Sequence, residues 1–262
     1  MKRGPRLTGH GLEKTGSIRE KAYVLIQQKI ARAELVPGVA VSEVSLAKEL
    51  GSSRTPIREA LGQLVAEGLL EQTPNRGAVV VQLKRQDIID LYELREALEV
   101  YAVGKVAQRT NSDSEIERLK KLVSEIAELQ SELERTAQPE LSQRQMQRFI
   151  ACDLGFHSLL VRMAANARIL KLVNETRLLI RIFAIHRRGH NGAMLANIRS
   201  QHSEMIRAVS ERNSQAAMQI LSTHIQRSLQ ERLEDFDRWE HESAMRETLP
   251  VFFDVHPAGE LI

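Results

Sequence analysis

Gly51, Ser53 and Pro56 fall within six residues, and that spacing permits few local structures. Glycine tolerates the left-handed backbone that ends a helix. Serine caps the start of the next helix by accepting a bond from a free backbone N–H. Proline is accommodated in a first helical turn, where its missing N–H costs nothing. Before this break, Val44, Leu46, Ala47 and Leu50 repeat at helical spacing, and after it Ile57, Leu61, Leu64 and Val65 do the same. Gly68 closes the second helix. Leu69-Leu70 and Ala78 to Val81 then read as short strands about a Pro74-Asn75-Arg76-Gly77 turn. Residues 42–81 are therefore predicted as helix, tight turn, helix and hairpin.

Arg54 and Arg58 are four apart, so they share a face of the second helix away from its apolar stripe. A helix with an exposed N-terminal end of this kind fits the DNA major groove. Arginine can bond two acceptors on guanine or a phosphate, and Thr55 can reach a phosphate or a thymine methyl. Arg76 at the hairpin tip is offered to the DNA backbone or minor groove. Charge alone favours a solvated surface helix. The complete helix-turn-helix-wing order favours double-stranded DNA.

The stretch resembles the GntR family of bacterial winged-helix regulators. The matching residues are Pro37-Gly38, Ser42-Glu43, Leu46-Ala47, the run Ser53 to Leu61, Leu64, Glu67-Gly68-Leu69 and Arg76-Gly77. The resemblance implies that Arg54, Thr55, Arg58 and the wing residue Gly77 approach DNA. Some members carry an arginine early in the first helix of the pair, where this chain has Val44.

Charge is unevenly placed. Residues 1–85 hold fourteen Lys and Arg against eight Asp and Glu, whereas the remainder is slightly acidic. The positive field thus lies on the half predicted to bind DNA. A single cysteine, Cys152, excludes an intramolecular disulfide and suits a reducing cytoplasm. It is read as a packed thiol. No apolar run approaches the roughly twenty residues of a membrane span, and no apolar segment of a signal peptide follows the basic N-terminus.

Residues 1–14 read as a flexible tail, and residues 15–83 as the winged-helix domain, opened by a helix over 18–34. Val39 to Val41 is expected as a third short strand, and Leu83 to Gln86 as a linker. Helical periodicity then runs almost unbroken to residue 240. Six helices are predicted, over 87–109, 113–136, 141–165, 168–187, 193–211 and 214–239. Short loops favour antiparallel packing. The fold class is mainly α: an N-terminal winged helix-turn-helix with a small β wing, then an antiparallel six-helix bundle over 84–240. Residues 241–262 read as a C-terminal tail.

Four polar residues stand where the bundle pattern asks for apolar ones. Asp153 and His157 share a face of the third bundle helix, and His202 and His224 sit among apolar neighbours on two others. A buried carboxylate or imidazole needs a partner. Each histidine could separately bond a backbone carbonyl or sit at a wet rim. A divalent metal would satisfy all four, and this donor set suits Zn, Ni, Mn or Fe. His186 and His190 flank Gly189 and are read as a wet loop. Arg95 is either paired with Glu99 or turned toward a ligand carboxylate.

Residues 87–240 resemble the FCD ligand-binding domain of FadR-type regulators, through Leu94 to Glu99, Asp153-Leu154-Gly155-Phe156-His157, His202 in Gln201-His202-Ser203-Glu204, and Thr223-His224. Six helices match the shorter, VanR-like branch. The resemblance implies metal ligation by Asp153, His157, His202 and His224, with Arg95 serving a small carboxylate effector. It further implies a cytoplasmic homodimeric regulator that reads an inverted-repeat operator and is released by its ligand. The alternative is a metal-dependent enzyme with an accessory DNA-binding domain.

Overall fold

The computed structural model describes residues 16–31, 34–82, 84–182 and 189–248. The chain divides into two compact units between Gln82 and Leu83.

The first unit holds α1 (Ile18–Ala31), α2 (Glu43–Glu49), α3 (Arg54–Ala66), β1 (Leu70–Thr73) and β2 (Gly77–Val80). Ser17 and Glu20 form a reciprocal cap at the start of α1. Ala22, Ile26 and Ile30, four apart, are fully buried. They pack on α3, whose Ile57, Ala60, Leu61 and Leu64 complete the core with Leu46 of α2. Ser42 caps α2 by accepting from the Ser45 N–H. Ser53 has the extended cap backbone, but its hydroxyl accepts no cap bond. The start of α3 is exposed, so water can serve those donors.

β1 and β2 pair antiparallel, with Leu70 opposite Val80 and Thr73 opposite Gly77. Asn75 and Gly77 take positive φ in the turn. The strand expected at 39–41 is reduced to a single bridge, Ala40 to Val79. A turn at Pro37-Gly38 and the Ser42 cap leave only three residues between them, too few for a longer ladder.

The second unit is a helical bundle of α4 (Arg85–Ala107), α5 (Asp113–Thr136), α6 (Gln143–Met163), α7 (Ala167–Ile182), α8 (Gly192–Ser210) and α9 (Ser214–Thr248). Helix α4 lies along α9 and also meets α6 and α7, while α8 lies between α5 and α9. Capping boxes at Ser112-Glu115 and Ser142-Gln145 start α5 and α6. Asn191 caps α8. The core is mostly aliphatic around two large rings, Phe156 and Tyr92, with Val103, Leu119, Leu160, Met205 and Leu221 buried in the same cluster.

Two predicted boundaries move. Helix α4 begins at Arg85 inside the expected linker, because Asp87 accepts the Lys84 N–H and caps its start. Helix α9 continues to Thr248, past the predicted end at 239. No proline or glycine interrupts 240–248, and the next helix breaker is Pro250. Residues 241–248 of the predicted C-terminal tail, 241–262, are thus helix; its remainder, the predicted tail 1–14 and residues 183–187 of the fourth predicted bundle helix lie outside the described residues.

Candidate functional site

Two constellations carry chemistry, one in each unit. In the first, Arg54, Thr55 and Arg58 are exposed on the N-terminal half of α3. Both guanidinium groups reach Glu43 at the start of α2. Arg54 and Arg58 each donate from Nη2 to Glu43 Oε2 at 2.9 Å, and Arg58 Nε donates to Oε1 at 3.1 Å. These bonds with Arg58 and Arg54 push the Glu43 carboxyl down to about 2. The arginines remain largely in solvent, with side chains 58% and 67% exposed, so this pairing contributes little stability and is readily exchanged for another anion. Arg76 donates to the Gly38 carbonyl at 3.0 Å. Gly77 is exposed beside it, with φ +76°. Val44 is exposed on the first turn of α2, where a cationic side chain is absent. Sequence reasoning located the arginines but missed Glu43 as the carboxylate that gathers them.

In the second unit, α6, α8 and α9 bring together Asp153, His157, His202 and His224. One donor atom from each lies within 4.8 Å of all the others. Asp153 Oδ1 stands 3.7 Å from both His157 Nε2 and His202 Nε2. His157 Nε2 and His224 Nε2 are 3.3 Å apart. The three imidazoles are buried, and Asp153 is at the edge with its side chain 26% exposed. Phe156 stacks on His202 at 3.9 Å between ring centroids and fixes its plane.

The outer contacts decide the tautomers. His157 Nδ1 lies 2.8 Å from Glu99 Oε2, and His224 Nδ1 lies 2.9 Å from Gln201 Oε1. Both partners are acceptors, so each Nδ1 carries the proton. Each facing Nε2 then presents a lone pair, and two lone pairs at 3.3 Å repel unless a cation stands between them. Arg95 Nη2, 3.5 Å from His157 Nε2, is a distant donor to one of them. His202 makes no hydrogen bond through either ring nitrogen, although both are fully buried. Unsatisfied buried nitrogens of this kind are expensive. One imidazole held by a carboxylate and one by an amide, each with an inward lone pair, match the donor set and outer shell of a divalent metal site.

Burial lowers the basicity of all three histidines. For His202, burial and then the neighbouring His157 push the value from 6.5 to about 3. Burial and Arg177 lower His157, and burial with His202 and His157 lowers His224. Burial alone would raise the Asp153 carboxyl, but the imidazoles and Arg177 outweigh it and keep it ionised. Through His202 the folded state therefore holds fewer protons than the unfolded chain between about pH 3 and 6.5, and His157 and His224 act in the same direction. Stability from these groups is full above that window and is lost as pH falls through it. Chelator-treated protein is expected to melt progressively lower as pH is taken from about 7 to 5. A flat melting temperature over that range would contradict the buried, neutral imidazoles.

Glu99 is the hub behind His157. It accepts from Arg95 Nε at 2.9 Å and from Arg177 Nε at 2.7 Å and Nη2 at 3.1 Å, besides contacting His157. Burial raises the Glu99 carboxyl, and Arg177 and Arg95 more than reverse this. The Arg95–Glu99 pair is thus present, and Arg95 also lines a cleft of about 60 Å³ with Tyr92 and Ser228. Arg177 and Gln201 were missed by sequence reasoning. Arg177 was detectable, since it lies between Val173 and Ile180 on an apolar face of α7.

His190 corrects an expectation. It is not in a wet loop: it is 1% exposed, edge-on to Phe149 at 4.5 Å, and its carbonyl accepts from the Leu141 N–H. Phe149 and Met146 supply an apolar seat that the local glycines did not reveal. His186 lies outside the described residues. Cys152 is half-buried against the α5–α6 cluster, as a packed thiol.

Comparison with known proteins assigns a family to each unit. Residues 18–80 match the bacterial regulatory proteins of the gntR family, and residues 90–227 match the FCD domain. The Nta operon transcriptional regulator of Aminobacter aminovorans is 38% identical over 53% of this chain and 60% of its own length. The "Probable D-xylose utilization operon transcriptional repressor" of Paenarthrobacter nicotinovorans is 29% identical over 76% of this chain and 82% of its own length. In fold, E. coli McbR/YncC superposes with a TM-score of 0.68 over 85% of this chain and 100% of that chain, at 17% identity. The two operon regulators and the match to bacterial regulatory proteins set aside the reading as a metal-dependent enzyme. The chain belongs to the GntR family, with an FCD domain following its helix-turn-helix, and is a DNA-binding transcriptional regulator.

Proposed function

We propose that the protein is a homodimeric repressor of an inverted-repeat operator, released when a small organic acid binds beside a divalent metal in the FCD domain. Arg54, Thr55 and Arg58 read base edges or phosphates from α3, and Arg76 and Gly77 of the wing follow the DNA backbone. The supporting observation is the exposed α3 face, where both arginines are held only by one solvent-facing carboxylate, Glu43. DNA phosphate competes with Glu43 for the same donors. Selection from a random duplex library, followed by titration of the enriched site, tests this. Arg54→Ala and Arg58→Ala are each expected to weaken binding by about 1–3 kcal/mol without altering the melting temperature. Binding like wild type by both variants would refute the assignment.

Asp153, His157, His202 and His224 would hold the metal, which is one of Zn, Ni, Mn or Fe. The facing Nε2 lone pairs and the orphaned nitrogens of His202 support this reading. The bound metal supplies a Lewis-acidic anchor for a carboxylate. Arg95 borders the adjoining cleft and stabilises the acid's negative charge. The control is linkage: if the acid prefers the form with low DNA affinity, DNA affinity falls by the factor that DNA lowers affinity for the acid. A relative named as an operon repressor supports the direction. Among the described residues no helix is long and apolar enough to cross a membrane, which accords with action on DNA in the cytoplasm.

A further inference from the structure

The cleft beside the metal ligands holds a cation that none of these assignments uses. Arg232 of α9 is only 5% exposed. Its Nη1 stands 3.6 Å from Asp235 Oδ2, a carboxylate also shared with Arg238. Its Nε is buried and makes no hydrogen bond. Arg95 and Arg177, by contrast, already donate to Glu99. Arg232 borders the same cleft as Asp153, Arg95 and Arg177.

The register along α9 gives the cleft a direction. His224, Ser228 and Arg232 are four apart, so they stand on one helical face, with about 12 Å of helix rise from first to last. Arg232 Nη1 meets Asp235, about one turn further on, which leaves Nε as the buried donor without a partner. Phe149, Ile150, Leu154 and Ile180 give the cleft apolar walls between the two polar ends.

Charge counting points the same way. Around the cleft, Arg95, Arg177, Arg232 and Arg238 oppose Glu99, Asp153 and Asp235, so the protein groups leave one positive charge. With neutral imidazoles, a divalent metal brings this to three positive charges. A monocarboxylate neutralises one of them and leaves the Arg232 Nε without an acceptor. A dianion neutralises two and supplies that acceptor.

We infer that Arg232 anchors a second anionic group of the effector, which makes the effector a short-chain dicarboxylate. One carboxylate lies at the metal, the carbon chain runs past Ser228 along the apolar wall, and the far carboxylate accepts from Arg232 Nε. This rests on the effector reading above, and the test separates the two.

Calorimetric titration of full-length, metal-loaded protein would compare acids of matched chain length: succinate against butyrate, and malate against 3-hydroxybutyrate. The dicarboxylates are expected to bind roughly ten- to hundredfold tighter. Arg232→Met is expected to erase that preference by weakening only the dicarboxylates, while metal content stays at the wild-type value. Arg232→Lys, which keeps the charge and loses the fork, should retain part of it. Equal affinity for each matched pair in wild type overturns the Arg232 inference alone, and needs no variant. A full preference remaining in folded Arg232→Met overturns it too. If none of the four acids binds metal-loaded wild type, the carboxylate-effector reading falls and the inference falls with it.

Discussion

Glu99→Ala is expected to destabilise the bundle by about 3–5 kcal/mol, the usual cost of stripping one partner from a buried charge cluster. One carboxylate, 1% exposed, takes three bonds from two guanidinium groups and a fourth contact from His157. Its removal leaves Arg95 and Arg177 buried without a counter-charge. A domain of this kind has about 5–15 kcal/mol of stability in total, so the loss is a large share of it. Thermal unfolding should show a fall of roughly 10 °C or more. Glu99→Gln keeps the volume and one acceptor, and should fall between wild type and Ala. The same change frees His157 Nδ1, so metal affinity should also drop by about 10- to 100-fold. A stability change in Glu99→Ala below about 1 kcal/mol would show that the two arginines reach water, and that Glu99 is no hub.

His202→Ala combined with His224→Ala is expected to abolish metal uptake. Two of the four donors disappear, and the pair left, Asp153 and His157, lies four apart on one helix. Elemental analysis of tag-free protein should read about one metal per chain for wild type and none for the variant. The melting temperature gives an independent readout. Chelation should lower it for wild type, because a metal that binds only the folded state stabilises by mass action. The double variant should not respond to chelator. Full metal occupancy in that variant would refute the site.

Much of the molecule was legible in one dimension because short-range rules govern it. Gly51, Pro56 and Gly68 set the ends of α2 and α3, and apolar residues at three and four spacing fixed which faces turn inward. Asp153, His157, His202 and His224 stood out as polar residues on such faces, and the bundle brings all four together. The misreadings have one local and one long-range cause. The strand at 39–41 depended on how many residues two flanking turns left free. The burial of His190 depended on Phe149 and Met146, which lie on another element.

The sequence by itself determined the order of helices, the arginine-bearing face of α3 and the four candidate metal donors, since each follows from the spacing of residues within one helix. Only the tertiary structure decided how those donors are held. Glu99 acts as hub because α4, α6 and α7 meet at its carboxylate, and no spacing within α4 reveals an arginine 78 positions away. The facing Nε2 lone pairs exist because Glu99 and Gln201 fix the protons on the far side of two rings. Arg232 has a vacant donor because the packing of α9 removes it from water. Hydrogen bonds and desolvation act through space, so their partners are set where helices cross.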